Sequence, residues 1–153
     1  AVFPDARVIQ THRDPAKAIP SLVSLLMNLN NVMEGDRSQQ RSEILLRREV
    51  AKWANAVRKA DKVRQAHPDK VLDVVHADFH ARPMAVVEQI YGFIGMDIPD
   101  DTRTALAHRI EEKPELQHGA HRYSIADFGM TEGEAREPFG DYIQRFDLVE
   151  SKR

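Results

Sequence analysis

The 153-residue chain contains no cysteine. That excludes disulfides, thiolate nucleophiles and sulfur-ligated metal centres, and it fits a reducing compartment, so a cytoplasmic location is expected. Long apolar runs are missing too. Nothing approaches the roughly 20 consecutive apolar residues of a bilayer-crossing helix, and no basic region followed by an apolar stretch opens the chain, so it reads as soluble. Neither charge sign is in excess: 22 Lys and Arg face 24 Asp and Glu, for a net charge of -2. A surface coated in cations, which generates most affinity for duplex nucleic acid, is thereby excluded. No nucleic-acid or membrane partner is expected, although a local anion site remains open. There is no internal repeat, linker or low-complexity segment, and no initiator methionine at Ala1.

What is present is 42% hydrophobic sequence in a length suited to one domain with a real core, read here as residues 1–153. Arg7-Val8-Ile9-Gln10-Thr11 is short and β-branched, as a buried strand requires. Asp14-Pro15 then supplies an N-cap and a first-turn proline, followed by Ala16, Ala18, Leu22, Leu25, Leu26 and Leu29 at helical spacing. Pro20 has no N–H for the carbonyl of Ala16, so this helix either kinks there or begins near Ile19. Asn28 to Ser42 is polar, with Gly35-Asp36 as a loop signal and Ser38 or Ser42 as caps for a long helix reaching about Gln65. Its expected buried stripe is Leu46, Val50, Trp53, Val57 and Ala60, which makes Trp53 a core residue.

His67-Pro68-Asp69 ends that helix, and Val71 to His76 reads as a second buried strand. Ala77 to Arg82 is expected to be a loop. Pro83 opens a helix with a stripe of Met84, Val87, Ile90, Tyr91 and Ile94, ended by Gly95. Asp100 or Asp101 is expected to cap a helix through Ile110, and Glu115 to Met130 is irregular. Thr131-Glu132-Gly133-Glu134 has capping-box spacing for one last helix carrying Phe139, Tyr142, Ile143 and Phe146. The class is α/β and helix-rich. Two strands joined through helices should lie parallel, and as a sheet they are incomplete, so further strands are expected from a missing segment or from a second copy in a homo-oligomer.

The strand-to-helix junction within "VIQTHRDPAKAIPS", Val8 to Ser21, is where open parallel sheets bind ligands. Unpaired first-turn N–H groups and the helix dipole favour an anion there. Arg13 adds a permanent charge with a planar donor fork, and Ser21 a hydroxyl, so phosphate is the natural ligand. The alternative is that Arg13 pairs with a nearby carboxylate and Ser21 is merely a small helix residue. His12 is either a second anion donor or a packed strand end. Among the seven histidines, His118-x-x-His121 and His76-x-x-x-His80 have workable metal spacing, but neither has a third ligand indicated, and no metal is expected. Ser24 lies near Ser21 without the order or elbow of a hydrolase triad.

Three segments carry a resemblance. "HRDPAKAIPS", with Arg13 eight residues before Ser21, resembles the 3′-phosphate-binding segment of the sulfotransferase family, whose donor is 3′-phosphoadenosine 5′-phosphosulfate (PAPS). "VVHADFHARPMAVVEQIYGFIGM", Val74 to Met96, resembles that family's later strand, its following loop and its Pro-initiated helix. "HRYSIADFGMTEGEAREPFGDYIQRF", His121 to Phe146, resembles the C-terminal segment of its bacterial branch. The resemblance implies a P-loop-like sulfotransferase fold and transfer of a sulfuryl group from PAPS to a hydroxyl or amine of a small-molecule acceptor. Arg13 and Ser21 would hold the donor's 3′-phosphate, with His121, Arg122 and Tyr123 as further nucleotide contacts.

Departures from the family pattern are His76 and Ala77, where an aromatic residue and an acid are usual, Arg82, where an Asp commonly caps the next helix, and Pro20 beside the serine. The Gly/Ser/Thr-rich loop that cradles the 5′-phosphosulfate does not occur in the sequence, nor does a Walker loop. In the family the catalytic base precedes the 3′-phosphate segment, so no catalytic residue is assigned here. The chain is therefore expected to be the C-terminal part of a sulfotransferase and inactive by itself. A non-catalytic assembly domain, or another nucleotide-dependent transferase such as a kinase, would use the same scaffold.

Overall fold

The computed structural model describes residues 3–34, 39–112 and 124–149. They fall into two compact units, one built from residues 3–12 and 67–112, the other from 13–34, 39–66 and 124–149. No described helix is long and apolar enough to cross a membrane.

The first unit holds strands β1 (Val8–His12) and β2 (Val71–Val75), which pair in parallel from Val8 opposite Val71 to His12 opposite Val75. Parallel pairing follows from the long helical connection between them. Among the described residues they form a two-stranded sheet. Such a sheet covers little: Val8 and Ile9 remain 49% and 40% exposed, while Val74 is buried.

β2 runs directly into α3 (His76–Ala81), where the sequence had suggested a loop. His76 to Ala81 contains no Gly or Pro to prevent helix formation, and the carbonyl of Asp78 accepts the N–H of Arg82 at 2.8 Å. The helix stops because Arg82 precedes Pro83, whose ring disfavours helical backbone in the residue before it; Arg82 accordingly sits at φ -141°, ψ 58°. Pro83 opens α4 (Pro83–Ile94), and Gly95 closes it at φ 76°, with the N–H of Met96 reaching the carbonyl of Tyr91 at 3.0 Å. Val86, outside the expected stripe, is its buried residue. In α5 (Asp100–Glu111) neither Asp100 nor Asp101 is the cap. Pro99 occupies the cap position, and both acids lie in the first turn, where they complement the helix dipole.

The second unit packs α1 (Pro15–Glu34) against α2 (Gln39–Ala66). α1 is one helix with Pro20 buried inside it, so a late start at Ile19 does not hold. Its buried face is Ala16, Ile19, Val23 and Met27, leaving Leu25 and Leu29 56% and 55% exposed. Both faces of α1 are apolar, so spacing alone does not choose between them. On α2 the buried line runs Leu46, Val50 and Ala54, with Ser42 buried in the first turn rather than capping. That line puts Trp53 at its margin, 44% exposed with the Lys52 ammonium 5.9 Å from its ring centroid, instead of in the core.

The capping box at Thr131 and Glu134 forms as spaced and starts α6 (Glu132–Arg136). The expected single terminal helix is interrupted by a 3-10 turn at Glu137–Phe139 and by Gly140 at φ 59°, ψ -130°, before α7 (Tyr142–Arg145). Pro138 has no N–H to continue the ladder. Phe139, Tyr142 and Ile143 still reach the core.

Candidate functional site

At the start of α1 the backbone consumes its own donors. Pro15 has no N–H, the N–H of Ala16 goes to Asp14 Oδ1 at 2.9 Å, and those of Lys17 and Ala18 both go to the Asp14 carbonyl at 2.9 Å. Asp14 is thus the expected N-cap. The expectation of free first-turn N–H groups is overturned, because proline and an Asx cap together leave none. Any anion here must be held by side chains.

Two side chains are available. Arg13 is exposed immediately before the cap and makes no hydrogen bond or ion pair with any described residue. Pairing with a nearby carboxylate, the alternative reading of its charge, does not occur among the described residues. Ser21 is also exposed, two turns into α1 and likewise without a described partner. Helical geometry tilts its Cα–Cβ bond toward the N-terminus, the end at which Arg13 stands. The distance along the axis from Asp14 to Ser21 is about 10 Å, which the long arginine side chain and one phosphate group can bridge.

The adjacent carboxylate is taken by a residue that the sequence did not single out. Arg136, at the end of α6, donates from Nε to Asp14 Oδ1 at 3.0 Å and from a terminal nitrogen to Asp14 Oδ2 at 2.5 Å. The same terminal nitrogen meets Glu132 Oε2 at 2.9 Å, and Glu132 Oε1 accepts from Lys17 Nζ at 2.8 Å. Asp14 is 1% exposed. The Asp14 hydrogen bond holds the Arg136 guanidinium even more firmly protonated than usual, against an opposing desolvation. The Lys17 hydrogen bond, aided by Arg136, lowers the Glu132 carboxyl below its ordinary value of 4.5. Asp14, Lys17, Glu132 and Arg136 therefore satisfy one another, and Arg13 is left out of the network. The Glu132–Arg136 spacing of four on a capped helix was a readable pair; its docking onto Asp14, 122 residues away, had no sequence signal.

His12 is fully buried and its Nε2 lies 2.8 Å from Asp73 Oδ1, so it joins the two strands rather than serving an anion. His76 and His80 come together with Nε2 atoms 3.2 Å apart, and no group of three or more metal-ligating side chains occurs among the described residues. His118, His121, Arg122 and Tyr123 lie outside the described residues.

The profile of the sulfotransferase family matches residues 1–100. This chain belongs to the sulfotransferase family. Its structure resembles sulfotransferase STF9 from Mycobacterium avium, with a TM-score of 0.80 and 23% identity over 99% of this chain and 39% of that one. It also resembles sulfotransferase STF1 from Mycobacterium tuberculosis H37Rv, with a TM-score of 0.66 and 26% identity over 90% of this chain and 34% of that one. The helix-rich fold with its small parallel sheet is the one these neighbours share, and the chain spans well under half the length of either. No curated protein matches it. Against the sulfotransferase pattern, Arg82 gives α4 no side-chain cap, so the Asp usual at that position is not replaced by an equivalent contact. Pro20 leaves α1 continuous and Ser21 on its exposed face.

Proposed function

We propose that this sulfotransferase-family chain supplies the 3′-phosphate-binding half of a PAPS site. The Arg13 guanidinium would clamp two phosphate oxygens and the Ser21 hydroxyl would donate to a third. One observation carries this reading: Arg13 stands exposed and unpaired among the described residues, while the carboxylate beside it is occupied by Arg136. An unpaired guanidinium beside a neutralised acid is suited to an external anion.

The reaction would be sulfuryl transfer. An acceptor hydroxyl or amine attacks sulfur in line, the bond from sulfur to the bridging oxygen breaks, and 3′-phosphoadenosine 5′-phosphate departs while a base takes the acceptor proton. Arg13 and Ser21 touch neither sulfur nor acceptor. They fix the remote end of the donor, so their binding energy orients the reacting anhydride. His121, Arg122 and Tyr123 would add cationic and stacking contacts to the nucleotide. The 5′-phosphosulfate cradle and the base would come from residues outside these 153, and the half-exposed Val8 and Ile9 fit a sheet completed by further strands from the same protein or a second copy. A cytoplasmic setting accords with the absence of cysteine.

Calorimetric titration of the full protein carrying these residues with 3′-phosphoadenosine 5′-phosphate tests the reading. Arg13→Ala should weaken binding about tenfold or more, roughly 1.4 kcal/mol. Equal affinities would sink it.

A further inference from the structure

Arg13 and Asp14 are consecutive and oppositely charged, and an arginine beside a carboxylate ordinarily has that carboxylate as its first competitor for any external anion. Here the competition is removed by a third group. Both Asp14 oxygens are engaged by the Arg136 fork, at 3.0 and 2.5 Å, and Oδ1 also caps Ala16. A carboxylate satisfied on both oxygens has little to offer Arg13, and its charge is matched in place.

We propose that Arg136 is a positioning residue for the 3′-phosphate site: by holding the Asp14 carboxylate in a two-point ion pair, it keeps Arg13 free and cancels the negative charge that would repel the phosphate. This rests on the reading of Arg13 as the phosphate-binding residue. It assigns the C-terminal segment a part in donor binding through α1, with no contact between Arg136 and the nucleotide. Lys17 and Glu132 complete the arrangement. Glu132 divides its two oxygens between Lys17 and Arg136, so Lys17 is also committed within the network and Arg13 is the cation left to the ligand.

The test is calorimetry with 3′-phosphoadenosine 5′-phosphate on the full protein carrying these residues, with melting curves run in parallel. Arg136→Gln should weaken binding about tenfold, because it frees a carboxylate beside Arg13. The paired variant Asp14→Asn/Arg136→Gln has no carboxylate to neutralise and keeps a capping oxygen at position 14, so its affinity should return to within about threefold of wild type. Because an unpaired buried carboxylate also destabilises the fold, the affinity loss counts where the melting curves show Arg136→Gln folded at the titration temperature. Wild-type affinity in folded Arg136→Gln, or a paired variant no tighter than Arg136→Gln, would overturn the proposal. Should Arg136→Gln not fold, the paired variant decides: folded and weakened tenfold or more, it refutes charge cancellation; near wild type, it supports it. Arg13→Ala in the same series separates the two levels. If it binds like wild type, the phosphate assignment itself has failed; if it is weakened while Arg136→Gln is not, only the positioning role has.

Discussion

Arg136 closes on Asp14 with two hydrogen bonds, 3.0 Å from Nε and 2.5 Å from a terminal nitrogen, joining the end of α6 to the N-cap of α1. The carboxylate is buried and fulfils two duties at once, capping the helix and pairing the guanidinium.

Removing it should therefore be costly. Asp14→Ala loses the cap and leaves a partly buried guanidinium short of its partner, and the expected destabilisation is about 2–4 kcal/mol in urea unfolding. Asp14→Asn retains the capping oxygen and should cost less. Equal losses would mean that the cap contributes nothing beyond the charge pair.

Glu132 gives the network a pH signature. Its pKa is lowered in the folded chain, chiefly by the Lys17 hydrogen bond, so the stability it contributes is fully present above the ordinary value of 4.5 and is lost as pH falls through the lower folded value. Glu134, lowered mainly by its hydrogen bond from the Thr131 backbone, acts in the same direction. Unfolding free energy measured across the acid range should fall less steeply in Glu132→Gln than in wild type. Parallel curves would show that Glu132 does not contribute.

Trp53 and Leu46 distinguish the observed face of α2 from the expected one. Leu46 is fully buried, and Leu46→Ala should cost about 2–5 kcal/mol, whereas Trp53→Ala should cost under about 1 kcal/mol because the indole is half exposed. Trp53, the sole tryptophan, should also be quenched readily by acrylamide. A shielded Trp53 and a large loss in Trp53→Ala would contradict the packing described.

Local chemistry was legible in the sequence wherever one residue type decides the backbone. Asp14-Pro15, Gly95, and the Thr131–Glu134 box act within a few residues of themselves, and each formed where its spacing placed it. The parallel pairing of β1 and β2 followed from the helical connection between them. The faces of α1 and α2 were harder. Leu25, Leu29 and Trp53 continue apolar spacings as good as those of Val23, Met27 and Ala54, and only the packing partner chooses between them. At the candidate site the sequence named Arg13 and Ser21 but assigned the anion to backbone donors as well. Those donors are used internally, through a proline and a cap that were both visible, whereas Arg136 joins Asp14 across a separation no local pattern spans.

Recognition of a 3′-phosphate by Arg13 is probed most directly with two nucleotides differing only in that group. Affinities of wild type and Arg13→Ala should be measured for 3′-phosphoadenosine 5′-phosphate and for adenosine 5′-monophosphate, in the full protein carrying these residues. Arg13→Ala should weaken the bisphosphate about tenfold or more and leave the monophosphate within about twofold. An equal loss for both nucleotides, or no loss for either, would show that Arg13 does not read the 3′-phosphate.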